Sequence, residues 1–320
     1  MAVTATQSRV IRQTATGKWL DGYGKMKPSI PIGQFMQAEP TDKVQVDAGF
    51  FGAVPFPVEF IGARQHKDLK SYTQTITPRK WELTIDFDVP TYDDDQTRTA
   101  AQTASKMLAR CTEHMVRRWT QVIEAGTGTT LGTGYDGVAI YSGSHPESGT
   151  NQDNTHTSAA ATGTQPTGTE LLAVLDSDFQ LADAYTDDQG APLGGNPTDW
   201  TLMIPPAYGS VFATVLGSNG SAGGGQAIPG SDIITAQGST VFRGMEYFVN
   251  PYMSNADRFY AFRKGGLPSV LVQRDPWDFQ VKDRTNSDIG FEQDLITFGA
   301  RARYEIGYGF WFDTFVHVFT

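Results

Sequence analysis

The stretch YTQTITPRKWELTIDFDVPTYDDDQTRTAAQTASKMLARCTEHMVRRWTQVIEAG, residues 72–126, changes its apolar period half-way along and so decides the fold class. Residues 72–77 are rich in β-formers, and Pro78 and Arg79 mark a turn. Trp81, Leu83, Ile85, Phe87 and Val89 then alternate with Glu82, Thr84, Asp86 and Asp88, which gives a strand with one apolar and one acidic face. Together these predict a two-stranded hairpin over Tyr72–Val89, marginal by itself in water and in need of cover on its apolar face. After Pro90 and the acids Asp93, Asp94 and Asp95, the apolar residues Ala100, Ala101, Ala104, Met107, Leu108, Cys111, Met115, Trp119, Val122 and Ile123 recur by threes and fours, with neither Pro nor Gly before Gly126. The spacing predicts a helix over about residues 94–125. Its acids stand at the N-terminal end, where a carboxylate caps and suits the dipole, and Arg110, Arg117 and Arg118 stand toward the other end. At 1.5 Å per residue it runs to roughly 45 Å, long for a compact domain.

Upstream, residues 1–58 show little periodicity. Gly22, Gly24, Pro28, Pro31, Gly33, Pro40, Gly49, Gly52, Pro55 and Pro57 interrupt both helix and ladder. Phe35, Phe50, Phe51, Phe56 and Phe60 are nevertheless too apolar for a free tail, so the expectation is an extended arm whose anchors find a surface elsewhere, on this subunit or another. Residues 1–43 carry six basic side chains (Arg9, Arg12, Lys18, Lys25, Lys27, Lys43) against three acidic ones (Asp21, Glu39, Asp42), a surplus that suits either an arm lying across acidic surfaces or a frayed basic terminus.

Downstream, residues 126–168 are turn-rich. They hold a short apolar piece, Val138–Tyr141, then Ser142-Gly143-Ser144-His145-Pro146 and a polar loop from Glu147 to Gly168. A second helix is read over Leu171–Tyr185, a buried strand over Trp200–Ile204 stopped by Pro205 and Pro206, a short helix over Tyr208–Leu216, and a Gly/Ser loop over 217–230. Strands follow at Val241–Val249, Arg258–Phe262 and Ser269–Gln273. From Ile306 to Val318 a period of two, with Trp311, Phe315 and Phe319 on the opposite face, predicts one strand covered on both sides.

Composition narrows the function. Hydrophobic residues make up 39% and charged residues 19%, a globular balance, with 34 Gly, 17 Pro and 19 Phe in keeping with a β-rich chain. No apolar run reaches the ~20 residues that cross a bilayer, and the start of the chain lacks the plan of a signal peptide, so folding in a cytoplasm is expected. A formal net charge of −10 argues against a protein that coats nucleic acid, though not against one that surrounds it. The single cysteine, Cys111, excludes an intrachain disulfide and sits at an apolar helix position, where it reads as a core residue.

No chemistry survives inspection. Ser142, Ser144 and His145 lie next to one another, whereas catalytic triads are assembled from distant segments, and there is no nucleophile elbow. Asp93–Asp95 lacks the alternation and central glycine of a calcium loop. His66, His114, His145, His156 and His317 are dispersed, with no pair at a metal-ligand interval. The Gly-rich run 126–134 follows a helix rather than a strand and lacks the lysine of a phosphate loop. Neither a catalytic residue, nor a cofactor site, nor a metal site is expected.

The order of these pieces resembles the major head subunit of Mu-like phages (gpT type), a branch of the capsid proteins with the Hong-Kong-97 (HK-97) fold. The resemblance rests on Tyr72, Ile76, Arg79 to Ile85, Asp93 to Asp95, Asp136-Gly137, Tyr141-Ser142-Gly143-Ser144-His145-Pro146, Asn151, Asn154, Pro192-Leu193 and Met203-Ile204-Pro205-Pro206, over roughly residues 60–320. It departs from the family's pattern at Tyr141, where Phe is expected, and in the loop 217–230. The resemblance implies an α+β fold of HK-97 type: an N-terminal arm (1–58), an E-loop hairpin (59–91), a peripheral domain (92–167) with a spine helix at about 94–125, an axial domain (168–265), and C-terminal strands (266–320) returning to the peripheral domain. It implies a structural protein, not an enzyme: the major capsid protein of a tailed phage, assembling in the host bacterial cytoplasm into hexamers and pentamers of an icosahedral head around double-stranded DNA, without sequence-specific binding and without a membrane. Implied partners are other copies of the chain through the arm and E-loop, a separate scaffold, a portal and, where the head has one, a cement protein. The rival readings are a cytoplasmic hydrolase using Ser144 and His145, and a non-viral nanocompartment shell of the same fold.

Overall fold

The computed structural model describes residues 30–57, 59–60, 62, 70–90, 99–147, 149–161, 164–216, 242, 245–282 and 292–320. Asp93–Asp95 and the Gly/Ser loop 217–230 lie outside them. In chain order the elements are β1 (Met36–Pro40), β2 (Val46–Phe51), β3 (Ser71–Ile76), β4 (Arg79–Asp88), α1 (Thr99–Glu124), β5 (His145–Glu147), β6 (Thr150–Gln152), β7 (Thr155–Ser158), α2 (Gly168–Asp183), β8 (Trp200–Ile204), α3 (Gly209–Leu216), β9 (Glu246–Val249), β10 (Arg258–Arg263), β11 (Ser269–Lys282), β12 (Leu295–Tyr308) and β13 (Thr314–Phe319).

The strand read at Trp81–Val89 is present, with its apolar face half-buried and its acids exposed. Its partner is not the one expected. β4 pairs antiparallel with β12 from Arg79↔Tyr304 to Asp88↔Leu295, while β3 pairs antiparallel with β2 from Val46↔Ile76 to Phe51↔Ser71. The predicted hairpin does not form because a two-residue turn between twisted strands needs positive φ, and Thr77-Pro78 supplies none, the proline ring fixing φ near −65°. The chain instead steps from one sheet into the next.

Two larger sheets organise the fold. One has the order β1-β11-β12-β4, and α1 lies against it. The predicted spacing holds along the helix: Met107, Leu108, Cys111, Trp119, Val122 and Ile123 are buried, and Val116 joins them. Twenty-six helical residues span about 39 Å. Trp119 Nε1 donates to Ser269 Oγ (3.0 Å), and that hydroxyl donates to the Phe35 carbonyl (2.6 Å), so helix, β11 and the incoming chain share one knot. β11 changes register between Gln273 and Asp275 and again between Asp275 and Asp278, while its partner β12 runs on. The other sheet, order β7-β13-β10-β8-β9, is covered by α2 and α3, and every residue of β8 is buried. Thr167 and Glu170 close a capping box at the start of α2, each satisfying the other's backbone N–H.

Three further expectations change. Ile30, Ile32 and Phe35 are buried within this same subunit, Phe35 packing on Trp119 and Phe262, so this part of the expected arm is core. The C-terminal run 306–318 is two strands. At Gly309 a Cβ would lie 1.9 Å from the Leu267 carbonyl oxygen, and only glycine allows that approach, so the chain turns there. After the turn, β13 pairs with β10 and β7 in the five-stranded sheet and does not return to the sheet under α1. β7, expected with the spine helix, belongs to the five-stranded sheet as well.

Candidate assembly surface

Among the described residues, the end of β2 and the chain just after it carry several large apolar side chains left in solvent. Phe51 is 72% exposed, Val54 81%, Phe56 69% and Phe60 69%. Four such groups fall between residues 51 and 60, a concentration of exposed apolar surface that marks an interaction site. The end of the ribbon from which the loop 52–70 leaves is held firmly. Tyr72 meets Tyr135 edge-on at 4.8 Å, Tyr135 meets Phe310 at 5.5 Å, and Gln74 donates to the Thr133 carbonyl. The Asp188 carboxylate accepts the Ala53 N–H at 2.8 Å, and a Cβ at Gly52 would stand 2.4 Å from its other oxygen, so glycine is required for the latch to close. Between this end of the ribbon and the body is a cleft of about 140 Å³ whose walls include Phe51, Tyr72, Tyr135, Glu147, Asp188 and Phe312. Burial, and then the charges of Glu147, Asp188 and Asp136, raise the Tyr72 hydroxyl above its ordinary pKa, keeping it neutral.

At the foot of α1 three charges are fixed together. Glu305 accepts from Arg118 at 2.8 and 3.1 Å and pairs with the more exposed Arg79 at 3.0 Å, and the Arg118 guanidinium stands over Trp81 at 5.7 Å. This cluster joins helix, β4 and β12.

The Ser142/Ser144/His145 turn proves to be scaffolding. Ser144 is exposed, while His145 is fully buried and stacked flat on Trp311 at 4.4 Å. Its Nδ1 lies 2.6 Å from Asp136 Oδ2 and its Nε2 lies 3.2 Å from Asn154 Oδ1. Asn154 in turn donates to the carbonyls of Ile140, Trp311 and Thr314. With both ring nitrogens engaged, His145 has none left to activate Ser144, and a hydrolase of that design has no base. Tyr141, the departure from the expected Phe, turns its hydroxyl to Thr314 Oγ1 at 2.9 Å, so the extra oxygen is satisfied. Cys111 is buried and its thiol is pushed up to about 12 by that burial, as befits a core residue. Sequence reasoning missed Asp188 and the latch, since nothing in Asp187-Asp188-Gln189 marks it beyond a turn.

Residues 19–178 and 260–317 match the family described as Mu-like prophage major head subunit gpT. The chain belongs to that family. This head subunit is therefore the major capsid protein of a tailed phage, a structural component of the phage capsid and not an enzyme. No curated protein sequence matches it. Its fold is that of HK-97-type capsids. It is similar to the subunit in the mature capsid of bacteriophage PhiM1 (TM-score 0.58, 10% identity, covering 92% of this chain and 88% of that one). It is likewise similar to the capsid of Ralstonia phage GP4 (0.59, 11%, 91% and 91%) and to the virus-like particle from Pyrococcus furiosus (0.52, 11%, 96% and 99%). No helix among the described residues is long and apolar enough to cross a membrane.

Proposed function

We propose that this head subunit closes its shell, as hexamers and pentamers, through the apolar tip that its own fold leaves bare. The observation that carries the reading is the exposure of Phe51, Val54, Phe56 and Phe60 on and just after β2, beside a ribbon end that is locked to the body. A neighbouring copy burying that tip supplies the missing cover. In this reading the E-loop comprises β2, β3 and the residues between them, about 46–76, rather than 59–91. The peripheral domain is α1 with the β1-β11-β12-β4 sheet, and the axial domain is the five-stranded sheet with α2 and α3. The basic surplus of residues 1–43 is suited to a neighbour's acidic surface. A net charge of −10 suits a container that encloses double-stranded DNA without gripping it. A scaffold, a portal and, in heads that use one, a cement protein complete the set of partners.

The test is a double substitution, Val54→Asp with Phe56→Asp, in the full chain. The purified variant keeps the circular-dichroism spectrum and melting temperature of the parent, and negative-stain microscopy shows no shells under conditions, scaffold included, in which the parent forms them. Normal shells from the variant refute the reading.

A further inference from the structure

The five-stranded sheet sets two histidines side by side. His156 on β7 and His317 on β13 are register partners in a parallel pair, and Asp178 from α2 reaches between them. All three are buried, at 5%, 2% and 1% exposure. His156 Nδ1 is 3.0 Å from Asp178 Oδ1, and His317 Nδ1 is 3.0 Å from the same oxygen and 2.9 Å from Oδ2. The donor atoms of the three side chains all lie within 4.8 Å of one another. Spacing along the chain gives no hint of this, because the residues come from three elements far apart in sequence.

Hydrogen bonds alone account for the cluster incompletely. Oδ1 receives both imidazoles, whereas Oδ2 is buried without a hydrogen bond although a ring nitrogen stands 2.9 Å away. Among the described residues, no Lys or Arg lies within ion-pair distance of this carboxylate. An interior carboxylate with one oxygen unsatisfied is costly unless something compensates it. The surroundings meanwhile hold the rings still. Phe315 stacks on His156 at 5.2 Å and Phe259 on His317 at 5.4 Å, and Ser158 Oγ sits 2.9 Å from His317 Nε2, where it can accept the N–H of a ring bound through Nδ1. For His317 that is the outer support a metal-ligating histidine has in known sites, whereas His156 Nε2 is buried without a hydrogen-bond partner and its ring is held by packing on Phe315.

We propose that His156, Asp178 and His317 bind a divalent cation of zinc type through two Nδ1 atoms and the carboxylate. Two imidazoles and one carboxylate are a donor set suited to zinc, with a fourth position left for the second carboxylate oxygen or a water. The cation takes the two Nδ1 lone pairs, each neutral ring then carrying its proton on Nε2 and any second proton passing to solvent, gives Oδ2 its partner and clamps α2 to β7 and β13. The site is structural, and it stands independently of how the tip at Phe56 is covered.

The experiment uses the full-length head subunit equilibrated with zinc, dialysed and assayed by elemental analysis. About one zinc per subunit, and a melting temperature that falls on chelation, are the expected results. Asp178→Asn keeps the volume and an acceptor oxygen for the imidazoles, so a hydrogen-bonded cluster tolerates it, while zinc binding weakens by about a hundredfold or more, beyond the cost of outer-shell changes. Loading the unmutated chain with cobalt(II) needs no variant to fold, and the visible absorption of a tetrahedral site is expected. Zinc at background level in the parent, an absent cobalt spectrum, or undiminished zinc in a folded Asp178→Asn subunit each overturns the proposal.

Discussion

The five-stranded sheet and the β2–β3 ribbon are made of similar residues, yet they end in opposite states. In the sheet, Phe259, Phe262, Phe315 and Trp200 are sealed between strands and helices of the same chain. On the ribbon, Phe51 and Phe56 face water. Hydrophobicity alone does not separate them. What differs is whether a second layer of the same chain lies over the side chain: Ile76 and Tyr72 of the ribbon pack on the body, while Phe51 and Phe56 at and beyond its end stay exposed. In the proposed assembly the sheet is finished by folding and the exposed stretch after β2 by a neighbouring copy.

That contrast can be broken at several points. Phe262→Ala strikes the sealed side, where its ring packs on Phe35 and Trp119. A loss of about 3–5 kcal/mol is expected, read by denaturant unfolding, and a loss below ~1 kcal/mol would show that the interior is less tightly filled than described. Arg118→Met leaves the buried Glu305 with only the more exposed Arg79, and about 3 kcal/mol is the expected cost by the same measurement. Asp188→Ala undoes the latch. The subunit should lose about 1 kcal/mol, and hydrogen exchange at the Ala53 amide should quicken while the sheet amides stay protected. Unchanged exchange there would mean that this end of the ribbon is held by its aromatic contacts alone. Phe60→Ser at the tip should shift stability by no more than ~0.5 kcal/mol yet slow shell formation followed by light scattering.

The residues announced their elements more clearly than their partners. The alternation from Trp81 to Val89 and the three-and-four spacing from Met107 to Ile123 identify a strand and a helix because both signals are local. The mate of β4 is β12, more than two hundred positions away, and no local period encodes it. A strand's apolar face records that it is covered, not by what. Phe35 and Phe56 show the same limit. Both are phenylalanines in a Gly- and Pro-broken segment, and only the three-dimensional path puts one beneath Trp119 and the other in solvent. The His156–Asp178–His317 cluster was invisible for the same reason, since its geometry exists only once β7 and β13 lie side by side.

The double register shift in β11 carries a mechanical consequence. Its partner β12 stays continuous while β11 spends extra residues between Gln273 and Asp278, so the ladder is loosened at one place without being cut. At that place the strand bends and its twist increases, while the ends on either side keep their pairing, so the long arm of the sheet is re-aimed without losing its ladder.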